Sequence, residues 1–143
     1  MKRILVPVNG SECSLRAVDY LIAERAQQAV PDQVKVHLVN VQPALRGDVG
    51  QFISHGQIAA YHSEESERAL REARARLDAA GVQPVVHAEV GHAADVIARL
   101  ASELDCDHIV MGTHGRGALA DLLAGSTTIR VVHQARVPVV LVK

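Results

Sequence analysis

Aromatic residues are nearly missing from this chain: Tyr20, Phe52 and Tyr61 are the only three, and there is no tryptophan. Any core must therefore be aliphatic, built from valine, leucine, isoleucine and alanine. Cysteine is scarce too. Cys13 and Cys106 stand alone in unlike contexts, which excludes a disulfide framework and points to reduced thiols in a cytoplasmic protein. No charge of one sign dominates: 15 Lys and Arg face 16 Asp and Glu, interspersed, so the footprint of a nucleic-acid or anionic-membrane binder is lacking. No apolar run approaches the roughly 20 residues of a membrane span. Ile4-Leu5-Val6 is too short for a signal peptide and runs straight into Pro7. At 143 residues the chain reads as a single domain, 1–143, with 48% apolar residues to fill a core.

Catalytic and metal signatures are also lacking. None of the eight histidines shows the H-x-x-x-H spacing of a helical zinc site, and neither cysteine lies near a histidine pair in sequence. There is no G-x-S-x-G elbow, and Ser11 reads as a helix cap rather than a nucleophile. No catalytic residue and no metal ligand is assigned.

What is present is an alternation of short apolar strands and helical periods. Lys2 to Val8 reads as a strand ending at Asn9-Gly10. A helix capped by Ser11 follows, with Leu15, Val18, Leu21 and Ile22 at helical spacing, and is expected to run until Pro31. Val34 to Val41 is the second strand. Pro43 to Gly56 reads as a long loop, and a charged helix then runs from Gln57 to Ala80. Its Glu67–Arg71 and Glu72–Arg76 spacings suit ion pairs, and Gly81 suits its stop. Pro84 to Val90 is the third strand, and a helix from Ala93 to Leu104 turns Val96, Ile97 and Leu100 inward. Asp107 to Met111 is the fourth strand, Ser126 to Gln134 the last helix, and Val137 to Val142 the fifth strand.

Five short, nearly all-apolar strands alternating with helices predict an α/β fold: a doubly wound, five-stranded parallel sheet with helices on both faces. Right-handed crossovers favour the order 3-2-1-4-5. The winding then reverses between strands 1 and 4, and ligands of such sheets bind in the crevice at that reversal. Strand 1 ends at Val8-Asn9-Gly10 and strand 4 at Met111-Gly112, so two glycine-bearing loops converge there.

The richest stretch follows strand 4: MGTHGRGALADLLAGST, residues 111–127. Gly112, Gly115 and Gly125-Ser126 stand at fixed offsets, with nine residues between Gly115 and Gly125. Glycine lets backbone approach an anion, and the helix start that follows offers free N–H groups and a partial positive charge. The spacing is neither the P-loop pattern nor the dinucleotide fingerprint, so this is a different kind of phosphate cradle.

On those residues, together with ILVPVNGSE at 4–12, VNV at 39–41, HIVMGTHGRG at 108–117 and VPVVLV at 137–142, the chain resembles the universal stress protein family along essentially its whole length. The pattern G-x-x-G-x9-G-[ST] of the family's ATP-binding branch is matched at every position. The resemblance implies a Rossmann-like domain that binds an adenine nucleotide, ATP or else AMP or ADP, in a stress-response regulator or sensor. It places Gly112, Gly115, Gly125 and Ser126 in the phosphate and ribose loop, with backbone amides near Arg116, Gly117, Ser126 and Thr127 facing the phosphates. Pro7, Val8 and Asn9 would border adenine and ribose, Val41 would meet the adenine edge, and Met111 would pack on the base. Many family members carry aspartate where this chain has Asn9; a neutral amide is a poorer ligand for Mg²⁺, which counts against metal-assisted chemistry. Two other readings stay open: a slow ATPase, and a chaperone-like or scaffolding dimer with structural nucleotide. The near-apolar edge strand Val137 to Val142 points, as the resemblance does, to a homodimer closed through that strand.

Overall fold

The computed structural model describes residues 2–45, 54–113 and 126–143. Five strands, β1 (Lys2–Pro7), β2 (Val34–Gln42), β3 (Val85–Val90), β4 (His108–Gly112) and β5 (Val139–Val142), form one all-parallel sheet in the order β3-β2-β1-β4-β5. Four helices accompany it: α1 (Glu12–Ala26), α2 (His55–Ala79), α3 (Ala93–Glu103) and α4 (Ser126–Gln134). This is the doubly wound order expected from the sequence.

Side-chain alternation along each strand divides the core into two layers. Ile4 and Val6 of β1 and Val8 just beyond it, with Val36 and Leu38 of β2, meet Leu15, Val18 and Leu21 of α1 and Leu70, Ala73 and Leu77 of α2. Leu5, Val39, Ile109 and Met111 point the other way, against Ile97, Leu100 and Ala101 of α3 and Val131 of α4. Strands apolar on both faces are buried on both, as a parallel sheet requires.

Local chemistry sets the boundaries. The Ser11 side chain caps α1 by accepting from the Ser14 N–H. α1 stops at Ala26 rather than running to Pro31: beyond Ile22 no apolar side chain reaches the sheet, Val30 is 51% exposed, and Pro31 instead opens a 3₁₀ turn, Pro31–Gln33. α2 starts earlier than its apolar period suggests. Ser54 and Gln57 form a reciprocal capping box, which draws Gly56 into the first turn. Of the expected loop at 43–56, residues 46–53 lie outside the described residues. Of the two ion pairs expected on α2, Glu72–Arg76 forms, while Arg68 pairs back to Glu65. Gly81 ends α2 at φ +72, with its N–H on Asp78 and that of Val82 on Leu77, a Schellman stop. β5 begins at Val139, not Val137: Pro138 has no N–H to donate, and Val137 packs into the α3–α4 layer instead of pairing.

Among the described residues, no helix is long and apolar enough to cross a membrane.

Candidate functional site

The sheet reverses its winding between β1 and β4, and a crevice of about 240 Å³ opens at the carboxyl ends of these strands. Pro7, Val8, Asn9, Val41, Met111, Gly112, Ser126 and Thr127 all line it. Four other residues picked from the sequence, Gly115, Arg116, Gly117 and Gly125, lie outside the described residues. The lining also includes Ser11, Cys13, Ser14, Val39, Ala93, Ile97 and Thr128, which the sequence reading did not assign to a site. Val39 was inferable, since it lies two residues before Val41 on the same face. In the sequence Ser11 stands out only as a cap, and Cys13 only as an isolated thiol. Helical spacing turns Ile97 inward, but that it and Ala93 reach this crevice depends on how α3 crosses the sheet, which no local pattern encodes.

The crevice has two kinds of lining residue. Pro7, Val39, Val41, Ala93, Ile97 and Met111 are apolar, most of them packed between the sheet and α3. Ser11, Ser14, Ser126, Thr127 and Thr128 carry hydroxyls, and Asn9 and Cys13 complete the polar part. Three helices start here: Ser11 caps α1, Ala93 opens α3 and Ser126 opens α4. Helix starts carry unpaired N–H groups and a partial positive charge, so their convergence favours an anion. Among the described residues, none of the lining side chains is a carboxylate, an ammonium, a guanidinium or an imidazole.

Several contacts fix this geometry. At Gly112 a Cβ would fall inside the Cys13 carbonyl, on the backbone of the first turn of α1. That glycine is therefore required by helix–sheet packing, whatever the ligand. Asn9 is partly committed to its own loop: its Oδ1 accepts from the Ser11 N–H at 3.0 Å. Below it, buried Asn40 donates to the Val8 carbonyl (2.8 Å) and accepts from Ser66 Oγ (2.9 Å) and Gln42 Nε2 (2.8 Å). This network ties α2 to the end of β1 and leaves no polar atom of Asn40 idle.

Groups with displaced protonation sit elsewhere. His37 is held below its usual range by burial, then by the positive charge of its neighbours His87, Lys35 and Arg3. Its Nδ1 lies 3.0 Å from Nε2 of His87, and its Nε2 is buried with no partner among the described residues. His108 is lowered by burial and by Lys2, against the opposing pull of Asp107 and Glu24. Burial raises the Cys106 thiol, with Asp107 adding to it. None of these three lines the crevice, and their shifts have structural causes. Among the described residues, no group of three or more His, Cys, Asp or Glu side chains is arranged to hold a metal.

The universal stress protein family model matches residues 1–143. The universal stress protein MJ0531 of Methanocaldococcus jannaschii is 31% identical over 144 residues, spanning 99% of this chain and 82% of its own length. Among solved structures, MJ0577 of the same organism superposes with a TM-score of 0.76 at 27% identity, covering 99% of this chain and 95% of its own. A universal stress protein solved in complex with cAMP superposes at 0.71 with 26% identity, covering 99% and 97%. A family match over the full chain, a relative at this identity and a shared switch-point architecture lead to one conclusion: the chain belongs to the universal stress protein family.

Proposed function

We propose that this chain binds an adenine nucleotide, ATP or else AMP or ADP, in the switch-point crevice and acts as a stress-response regulator or sensor rather than a dedicated enzyme. The observation that carries this reading is the mixed lining of the crevice. Its apolar part suits a flat base, and three convergent helix starts with five hydroxyl side chains suit a phosphate tail. The likeness to a cAMP-bound relative supports the adenine assignment. Among the described residues the crevice lining is uncharged, and hydrolysis needs a group to position water, which favours binding over turnover. The Gly115, Arg116, Gly117 and Gly125 backbone would complete the phosphate contacts. A chain with only two cysteines, Cys13 and Cys106, accords with a reducing cytoplasm.

The test is direct. The purified chain is denatured, the released small molecules are identified, and calorimetry then ranks ATP, ADP, AMP and cAMP. Ser126→Ala is expected to weaken ATP binding by about 1 kcal/mol, the scale of one hydrogen bond. No affinity for any of the four refutes the reading, and sustained turnover of labelled ATP replaces it with an ATPase.

A homodimer through β5 accompanies this reading. β5 ends the sheet, pairs only with β4 among the described residues, and exposes Leu141 at 42%. Two copies meeting antiparallel across a two-fold axis satisfy that open edge. Leu141→Lys tests it by sedimentation. Leu141 is preferable to Val140, which packs against the α1–α2 core and would confuse dissociation with unfolding.

A further inference from the structure

Arg16 lies on α1, one turn beyond Cys13, whose carbonyl packs against Gly112. Its Nη2 donates to the Thr113 carbonyl at 3.2 Å. Thr113 is the residue at which the chain leaves β4, and it is held from the far side as well. Its N–H and Oγ1 both donate to the Val142 carbonyl, at 2.9 and 3.3 Å. Arg16 thus braces the root of the glycine-rich stretch against α1, while β5 braces it from the other flank.

Among the described residues, no carboxylate matches the charge of Arg16. Arg25, Arg68, Arg76 and Arg99 each pair with a carboxylate, whereas Arg16 makes no ion pair among the described residues. Its Nε is buried and lacks a partner among the described residues. A guanidinium partly withdrawn from water, held by a neutral carbonyl and carrying a spare buried donor, is destabilising by itself. An anion nearby offsets that cost. Arg16 does not line the crevice, so its influence is indirect: it sets where the Thr113 carbonyl sits and adds positive potential beside the three helix starts.

We infer that Arg16 is a positioning residue for the anionic end of the crevice, favouring ligands in proportion to their phosphate charge. The inference rests on the nucleotide reading above, and it assigns to Arg16 the discrimination between adenosine and its phosphorylated forms.

Calorimetry with adenosine, AMP, ADP and ATP on the wild type, Arg16→Gln and Arg16→Lys tests it, with thermal midpoints recorded alongside. Arg16→Gln is expected to leave adenosine affinity within about twofold and to weaken ATP by about tenfold, with AMP and ADP between. The loss should shrink as salt rises from about 0.05 to 0.5 M, as screening requires. Arg16→Lys, which keeps the charge but not the planar fork, should recover part of the ATP affinity. Equal losses for all four ligands would mark Arg16 as merely structural and overturn the inference, as would unchanged ATP affinity. If Arg16→Gln fails to fold, Arg16→Met takes its place: a wild-type ratio of ATP to adenosine affinity overturns the proposal, and a ratio lowered about tenfold supports it. A wild type that binds none of the four ligands refutes the nucleotide reading itself, before any variant is compared.

Discussion

Gly112→Ala separates what the fold demands of this position from what a ligand demands. The methyl group would enter the carbonyl of Cys13, and the Cys13 carbonyl carbon and Cβ crowd the same space. The opposing carbonyl belongs to helix backbone, so no rotamer change relieves the clash and the first turn of α1 must lift away from β4. Overpacking a tight site costs about 1–3 kcal/mol, and a clash with backbone lies toward the upper end of that range. Replacing glycine within a strand returns about 0.5–1 kcal/mol of chain entropy. The net expectation is a loss of about 2 kcal/mol. For a chain of this size that corresponds to a fall of about 4–8 °C in Tm. Urea unfolding and scanning calorimetry without nucleotide provide the measurement. Ser11 and Ser14 ride on the displaced turn and line the crevice, so ATP affinity should drop in the same variant. An unchanged midpoint with lost binding would refute the reasoning, because Gly112 would then matter only to the ligand.

Gly81→Ala should cost about 1 kcal/mol from the positive φ alone, since no atom lies within 4 Å of the added carbon; Asp105→Gly, where a non-glycine residue sits at φ +51, should change stability in the opposite direction. Both are read by urea midpoints. His37 and His108 have lowered folded pKa values, so the unfolded chain binds protons that the folded chain refuses. Stability should therefore be full above the ordinary histidine pKa of 6.5 and fall as the pH drops below it. Denaturant titrations from pH 8 to about 5 check this, and His37→Phe should flatten part of the slope. Asn9→Asp supplies a carboxylate at the crevice mouth and is expected to make ATP binding respond to magnesium; a magnesium titration that leaves binding unaltered in this variant removes Asn9 from the phosphate region.

Much of this molecule was legible because a parallel sheet writes its strands as unbroken apolar runs. The five strands, their order and the convergence of Asn9-Gly10 with Met111-Gly112 all follow from that pattern and the handedness of crossovers. Boundaries set by single polar contacts were harder to read. The Ser54–Gln57 capping box overrode a weak start at His55-Gly56, and a missing apolar anchor ended α1 before Pro31. Half of the crevice was hidden for a different reason. Ala93 and Ile97 reach it through the packing of α3 across the sheet, and Asn40 holds Val8 through partners two and twenty-six residues away in the chain. The role of Gly112 was visible only as glycine in a loop; that α1 backbone occupies the space of its absent side chain is a tertiary fact.

His37 and His87 stand fifty residues apart in the chain and meet nitrogen to nitrogen across β2 and β3. Their ring centroids are 5.3 Å apart with planes 29° from parallel, a spacing that one ring radius on each side and the 3.0 Å contact account for. The rings therefore join edge to edge, through in-plane lone pairs. Such a contact holds one proton between the two nitrogens. With both rings neutral, that proton fixes the tautomers of the pair together, because whichever ring donates decides what the other must present. A third ring proton fits on an outer nitrogen and leaves the bridge intact. A fourth would set two N–H groups against each other, and the bridge would break. The two histidines thus form one protonic unit, with two or three protons in its bonded states.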